Sequence, residues 1–441
     1  MRGERFVALG LAHVRSTWFR ELARWATSAA LPLEFVKCVS VEELRARLVS
    51  GRAFSAVIID ASFPGFDRDI VEQARETGCA VLVVNDGRVA RDWNSLGVSA
   101  VLPSDFGRSA LLDALNTHAV MISRADELAI GETPRVAPGA WRGRLVAVTG
   151  PGGSGASTIS MALAQGFGGD ARHNGLVLLA DLALDADQAM LHDAGDVVPG
   201  VQELVDAHRG GDPSVQDIRA LTFAVPDRNY QLLLGLRRHR DWTAIRPRAF
   251  AAALDNLRRA YKAVIADVSP DVEGEDQCGS VDVEERNLMS RTAVLAADAV
   301  VIIGVPGTRG MHRLVRLAAA VVELGVAPSN VVPVVNFAPR SPRGRAEISR
   351  AFADLASPFA VARDPFAPMV FVTERRHLDE AVYDATRLPN QLVSSVSKAV
   401  NAVIERNPEA IDQPTPIVTG VPVPVRRGAL GAFVEEELED S

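Results

Sequence analysis

Cysteine is scarce in this 441-residue chain and unpatterned: Cys38, Cys79 and Cys278 share no CxxC spacing, which excludes a disulfide framework and a thiolate zinc site. The eight histidines form no HxxxH pair, so a histidine-ligated metal has no support either. No apolar run reaches the roughly 18 residues of a membrane span, and Met1 to Arg5 lead into a strand-like segment, not a signal-peptide core. A cytoplasmic protein is therefore expected. With 48% hydrophobic and 23% charged residues the composition is that of a globular protein, and the length suffices for two or three domains. A net charge of −8 argues against a chain coated by nucleic acid.

What the chain does have is an apolar strand, Leu145 to Thr149, a glycine-rich loop and a helical run from Ile159 to Phe167. Gly150, Gly152, Gly153 and Gly155 allow the backbone to turn its N–H groups around a phosphate, and the N-terminus of the following helix adds its positive end. Ser157 stands where a hydroxyl would ligate Mg²⁺. Ala156, however, occupies the place of the lysine that grips the β- and γ-phosphates in such loops.

The frame Gly150, Pro151, Gly152, Gly153, Ser154, Gly155, Ala156, Ser157, Thr158 resembles the deviant phosphate loop of the MinD/ParA ATPases, which normally reads Gly-Lys-Gly-Gly-x-Gly-Lys-Thr-Thr. Both family lysines are replaced: Pro151 stands where the signature lysine reaches across a dimer interface, and Ala156 where the ordinary phosphate-binding lysine belongs. The resemblance implies ATP and Mg²⁺ as ligands, held by residues 150 and 152–158. It places Asp181, which ends the strand from Leu176, near the attacking water, with Asp185 and Asp187 following in the first switch. A strand-ending aspartate also caps turns. Asp267, after Ala263 to Ala266 and before Ser269 and Pro270, matches the Walker B strand and would hold Mg²⁺ through its water shell with Ser157. Asn336, ending the strand from Val331, falls where the family reads the adenine edge, and Phe337 replaces the usual arginine. The family resemblance extends to a last strand at Phe359 to Asp364 and to helices near Leu378 to Ala385 and Gln391 to Ile404. Losing the lysine at position 156 is expected to weaken ATP roughly 10- to 100-fold and to harm hydrolysis more.

The expected fold class is α/β, with two doubly wound parallel-sheet domains. Residues 1–124 alternate strands (Phe6 to Gly10, Leu33 to Cys38, Ala56 to Asp60, Ala80 to Val84, Ala100 to Leu102) with helices such as Val41 to Val49, and resemble a response-regulator receiver. Asp60 occupies the phosphoacceptor position. The acidic pair after the first strand and the lysine after the fifth are missing, so phosphorylation of Asp60 is not expected. Residues 125–140 read as a linker, 141–408 as the MinD/ParA-like domain, and 409–441 as a disordered tail, rich in proline and then acidic. The segment 273–285 is unusually acidic, and the pattern offers no account of it.

A receiver-like domain followed by a MinD-like one resembles the CpaE/TadZ group, which localises Flp/Tad pilus or secretion machinery. That implies a dimeric spatial organiser with protein partners and with weak or absent ATP binding and hydrolysis, recruited to the inner membrane face or a cell pole. An active ATPase in septum placement or chromosome partition is the enzymatic alternative. A nucleic-acid module using the basic stretch 237–262, eight Arg/Lys against two acids, is the third. A peripheral membrane contact through that stretch is not favoured.

Overall fold

Short apolar runs buried on both faces make the strands of two parallel sheets. The computed structural model describes residues 5–13, 16–28, 30–49, 52–122, 141–359, 364–375, 378–384, 386–406 and 423–424. The expected linker lies outside them. Two compact units emerge, one of residues 1–139 with 206–212 and one of the remainder.

In the first unit β1 (Phe6–Leu11), α1 (Thr17–Thr27), β2 (Leu33–Cys38), α2 (Val41–Leu48), β3 (Ala56–Asp60), α3 (Arg68–Glu76), β4 (Ala80–Asn85), β5 (Ala100–Pro103) and α4 (Arg108–His118) follow in order. The sheet order is β2-β1-β3-β4-β5 and every pairing is parallel, the flavodoxin-like doubly wound arrangement. Alternation along β3 sends Val57 and Ile59 into one core layer and Ala56 and Ile58 into the other. No helix forms between β4 and β5, where the expected alternation called for one: residues 86–99 run as bends and turns. Asp and Asn side chains explain this, since Asn85 and Asp86 accept from the amides of Gly87 and Arg88, and Asp92 from those of Asn94 and Ser95.

The second unit begins with β6 (Arg144–Thr149), α5 (Ala156–Gly168), β7 (Val177–Leu182), α6 (Gln188–Leu191), α7 (Val201–Arg209, its residues from 206 on counted with the first unit), α8 (Val215–Ala220), β8 (Phe223–Val225) and β9 (Tyr230–Leu233). It continues through α9 (Pro247–Ala260), β10 (Ala263–Val268), α10 (Glu275–Cys278), α11 (Val281–Arg286), α12 (Leu288–Ala296), β11 (Ala299–Gly304) and α13 (Thr308–Glu323). It closes with β12 (Val331–Val335), α14 (Pro342–Ala356), β13 (Val370–Phe371), α15 (Leu378–Tyr383), α16 (Asn390–Ile404) and β14 (Val423–Pro424). The nine strands lie in the order β13-β12-β11-β6-β10-β7-β9-β8-β14, all parallel except β8 with β9. On β6, Val146 and Val148 pack under α5 and α16, whereas Leu145 and Ala147 face the layer that holds α9, α12 and α13.

Two expectations need correction, and one segment left without an account acquires a structure. The strand that follows β12 is Val370–Phe371, pairing with it, and not Phe359 to Asp364: Phe359 sits in a turn, and 360–363 lie outside the described residues. The acidic segment 273–285 folds into the short helices α10 and α11. Of the tail expected to be disordered, Val423 and Pro424 add an edge strand beside β8, and the rest lies outside the described residues.

Candidate functional site

The carboxyl ends of β6, β7 and β10 bring the predicted residues together. Asp181 and Asp267 are direct partners in the β7–β10 ladder, and Val148, one residue before Thr149, pairs with Asp267 from the other side. In-register neighbours in a parallel sheet point to the same face, here the face covered by α5. The loop therefore lies over two aspartates.

Loop geometry follows from glycine. Gly153 and Gly155 have φ of 77° and 85°, values that L side chains rarely adopt, and Gly155 is the residue from which α5 starts. The amide of Ser154 donates to the Pro151 carbonyl at 2.9 Å, closing the turn. A Cβ at Gly155 would lie 2.4 Å from Asn336 Nδ2, whereas one at Gly152 or Gly153 would meet nothing within 4 Å, so the loop is open on that side.

Behind the loop the carboxylates are buried, Asp181 0% and Asp267 3% exposed. Gln188 bridges them: its backbone amide donates to Asp181 Oδ2 at 2.9 Å and its Nε2 to Asp267 Oδ2 at 2.6 Å. Burial first, and then the charge of Asp267, hold the Asp181 carboxyl well above the usual carboxylate range. Burial likewise raises Asp267, against the opposing hydrogen bonds from Gln188, Ser157 and Ser160. No arginine or lysine forms an ion pair with either aspartate among the described residues, and the Gln188 Oε1 and Thr149 Oγ1 atoms are buried without a partner. Asp185 and Asp187 are exposed, Asp185 with His239 Nδ1 at 2.9 Å.

These residues fit a nucleotide and a hard cation. An open ring of loop amides ahead of a 13-residue helix suits phosphate. The hydroxyl of Ser157 and the carboxylate of Asp267 form the oxygen donor set that Mg²⁺ accepts when its remaining sites are filled by phosphate and water. Among the described residues there is no group of three or more ligating side chains to hold a metal without such help.

Asn336 is turned to the loop. It is 8% exposed, its Nδ2 donates to the Ser154 carbonyl at 2.9 Å, and its Oδ1 accepts from the Phe337 amide at 2.9 Å. It clamps the loop to the end of β12. Phe337 is 47% exposed and held at φ 53°.

The basic stretch 237–262 is engaged in part, with Arg238, Arg240 and Arg246 exposed. Arg258 pairs with Asp298 at 2.9 Å and donates to the Ala296 carbonyl, Arg259 pairs with Asp255 at 2.6 Å, Arg237 pairs with Glu203, and Lys262 donates to the Arg172 carbonyl.

Sequence reasoning missed Gln188 and Ser160, whose roles arise from tertiary contact and leave no local pattern. It also passed over β11 and the turn after it, where Gly304 and Gly307 flank Pro306 ahead of a helix. That strand–glycine–helix pattern was the available signal.

No family model matches the chain, and no curated protein does. Solved structures are similar in outline. A ParA family ATPase from Chlorobium tepidum shares 14% identity, over 60% of this chain and 98% of that one, with a TM-score of 0.42. The cell division ATPase MinD of Pyrococcus furiosus shares 15% over 60% and 99%, TM-score 0.43. The septum site-determining protein MinD of Pyrococcus horikoshii, complexed with Mg-ADP, shares 17% over 61% and 96%, TM-score 0.40. By its own strand order, loop geometry and paired aspartates, the second unit is an α/β unit with a phosphate loop.

Proposed function

We propose that this chain is a nucleotide-responsive spatial organiser of the MinD/ParA type, CpaE/TadZ-like in domain order, that binds Mg·ATP weakly and turns it over at a background rate. The observation that carries this reading is a phosphate loop with left-handed Gly153 and Gly155, set over the buried pair Asp181 and Asp267, with Pro151 and Ala156 at the lysine positions. Loop amides and Mg²⁺ retain affinity for polyphosphate, while phosphoryl transfer needs positive charge placed at the transition state. In this reading the protein is a homodimer whose assembly is not switched by nucleotide and which recruits a pilus, secretion or division apparatus, and the first unit serves contacts, not phosphotransfer.

Calorimetry of the full chain with Mg·ATP tests it. Binding in the high micromolar to millimolar range is expected, roughly 10- to 100-fold weaker than a loop with its lysine would give. No heat of binding at millimolar ligand would make the loop vestigial. The alternative of a working ATPase needs a cation beside Asp181 and Asp267, whose side-chain hydrogen bonds among the described residues come from uncharged groups.

A further inference from the structure

A cleft of about 310 Å³ opens where the outer side of the phosphate loop faces the first turns of α13. Pro151, Gly152 and Ser154 line one wall, and Gly304, Arg309 and Arg313 the other. Its place in the topology is telling: the chain leaves β6 toward the β10 side of the sheet and later returns to the other side with β11, so the strand order reverses between β6 and β11. Crevices at the carboxyl ends of strands that flank such a reversal are where open α/β sheets bind ligands, and the volume is at the lower end of the range for small-molecule sites, about 300–1,000 Å³.

Chemistry in the cleft is one-sided. Arg309 and Arg313 are separated by one helical turn, so both reach the same side of α13. Both are exposed, and neither takes part in an ion pair or hydrogen bond among the described residues. No carboxylate lines the cleft. Arg313 also borders a second cleft that holds Asp271 and Glu273, but the Asp271 carboxylate is taken by Arg286 at 2.6 Å. On the loop side Ser154 is 3% exposed and its Oγ has no partner, a buried hydroxyl in the wall of a cationic cleft. An unpartnered buried hydroxyl costs stability unless something bonds to it.

Composition points the same way. Of the 47 Lys and Arg only Lys37, Lys262 and Lys398 are lysines. Lys262 lies ahead of β10, at the sheet edge opposite Asp267, and donates to a backbone carbonyl there. Positive charge near the loop comes from arginine, whose planar fork binds phosphate oxygens in pairs.

We infer that Arg309 and Arg313, reaching from α13 of the same chain, bind the terminal phosphate of a nucleoside triphosphate seated on the loop, and so restore in cis part of the binding charge missing at Pro151 and Ala156, without supplying charge at Asp181 and Asp267 where transfer would need it. This rests on the nucleotide-binding reading above. Loop amides and the start of α5 hold the inner phosphates, which leaves the cleft beside Pro151 to Ser154 for the outermost one. The site consequently discriminates triphosphate from diphosphate through α13.

Calorimetry on the full chain separates the two claims. The parent, the double variant Arg309→Ala with Arg313→Ala, and Arg316→Ala, which removes a charge one turn further along α13, are each titrated with Mg·ATP and Mg·ADP. Far-ultraviolet dichroism and thermal melting establish that each is folded. The double variant is expected to lose about tenfold or more in affinity for ATP and no more than about twofold for ADP, with Arg316→Ala close to the parent. Unchanged ATP affinity in the double variant, with binding abolished by Gly155→Val, would overturn this inference and leave the nucleotide site standing. Equal losses for ATP and ADP would also overturn it, because the arginines would then not be reading the terminal phosphate. A parent that binds neither nucleotide overturns both.

Discussion

Both units end an apolar parallel strand in an aspartate, Asp60 on β3 and Asp267 on β10, and they treat the carboxylate in opposite ways. Asp60 is partly exposed and satisfied by its own unit: Oδ2 accepts from Ser16 Oγ at 3.1 Å, and Oδ1 from the amide and hydroxyl of Ser62 at 3.1 and 2.8 Å. Asp267 is buried beside Asp181, with hydrogen-bond donors but no cation. A carboxylate supplied with hydroxyls and water needs no ligand, whereas two desolvated carboxylates in register leave a charge that only a cation or protons relieve. Position at a strand end is common to both. Burial and pairing are what distinguish the candidate site from its look-alike.

The sharpest way to break this contrast is to fill the cradle. Gly155→Val combines a β-branched side chain at φ 85° with a Cβ 2.4 Å from Asn336 Nδ2, so it is expected to abolish ATP binding in calorimetry and to cost on the order of 1–3 kcal/mol of stability. Restoring charge should act the other way. Ala156→Lys is expected to tighten ATP roughly 10- to 100-fold, yet light scattering should show no ATP-driven dimerisation while Pro151 remains. Dimerisation in that single variant would show that the second lysine position is dispensable.

Removing one of the paired charges gives a smaller effect with a defined pH window. Burial raises the Asp267 carboxyl from 3.8 to about 6, so the folded state favours its proton. The stability this contributes is complete below about pH 4 and is lost as pH rises through 6. Asp267→Asn escapes that loss. Its melting temperature should match the parent near pH 4 and exceed it at pH 8, by on the order of 2 kcal/mol in stability. A parent and variant that differ equally at both pH values would remove the raised Asp267 carboxyl from the account. The smallest effect is expected at Asp60: acetyl phosphate with Mg²⁺ should leave the full chain without a phosphoryl adduct in intact-mass spectra. An adduct that disappears in Asp60→Ala would make the first unit a phosphoacceptor after all.

The strands were legible because burial on both faces writes itself as unbroken apolar runs: Leu33–Cys38 and Ala56–Asp60 stand at the boundaries the pattern implies, and Ala263–Val268 extends one residue further. Asp181 and Asp267 were legible as strand ends. Their register pairing was not, because it depends on the order of strands and not on either strand alone. Val370–Phe371 escaped notice because two residues at a sheet edge carry no periodicity, and the alternation near Phe359 competed with it. Gln188 and the Asn336 clamp are meetings of residues distant in the chain, Asn336 with Ser154 across 182 positions. Arg309 and Arg313 carry no local pattern, and only the placing of β11 beside β6 brings their helix to the loop.

The central claim is that this loop holds nucleotide without consuming it, and steady-state phosphate release from the full chain at millimolar Mg·ATP tests it most directly. Release at the background rate, indistinguishable from that of Gly155→Val, is the predicted result. Robust turnover by the parent that disappears in Gly155→Val would contradict it and make the protein a working ATPase, with its catalytic charge drawn from residues other than the two missing lysines.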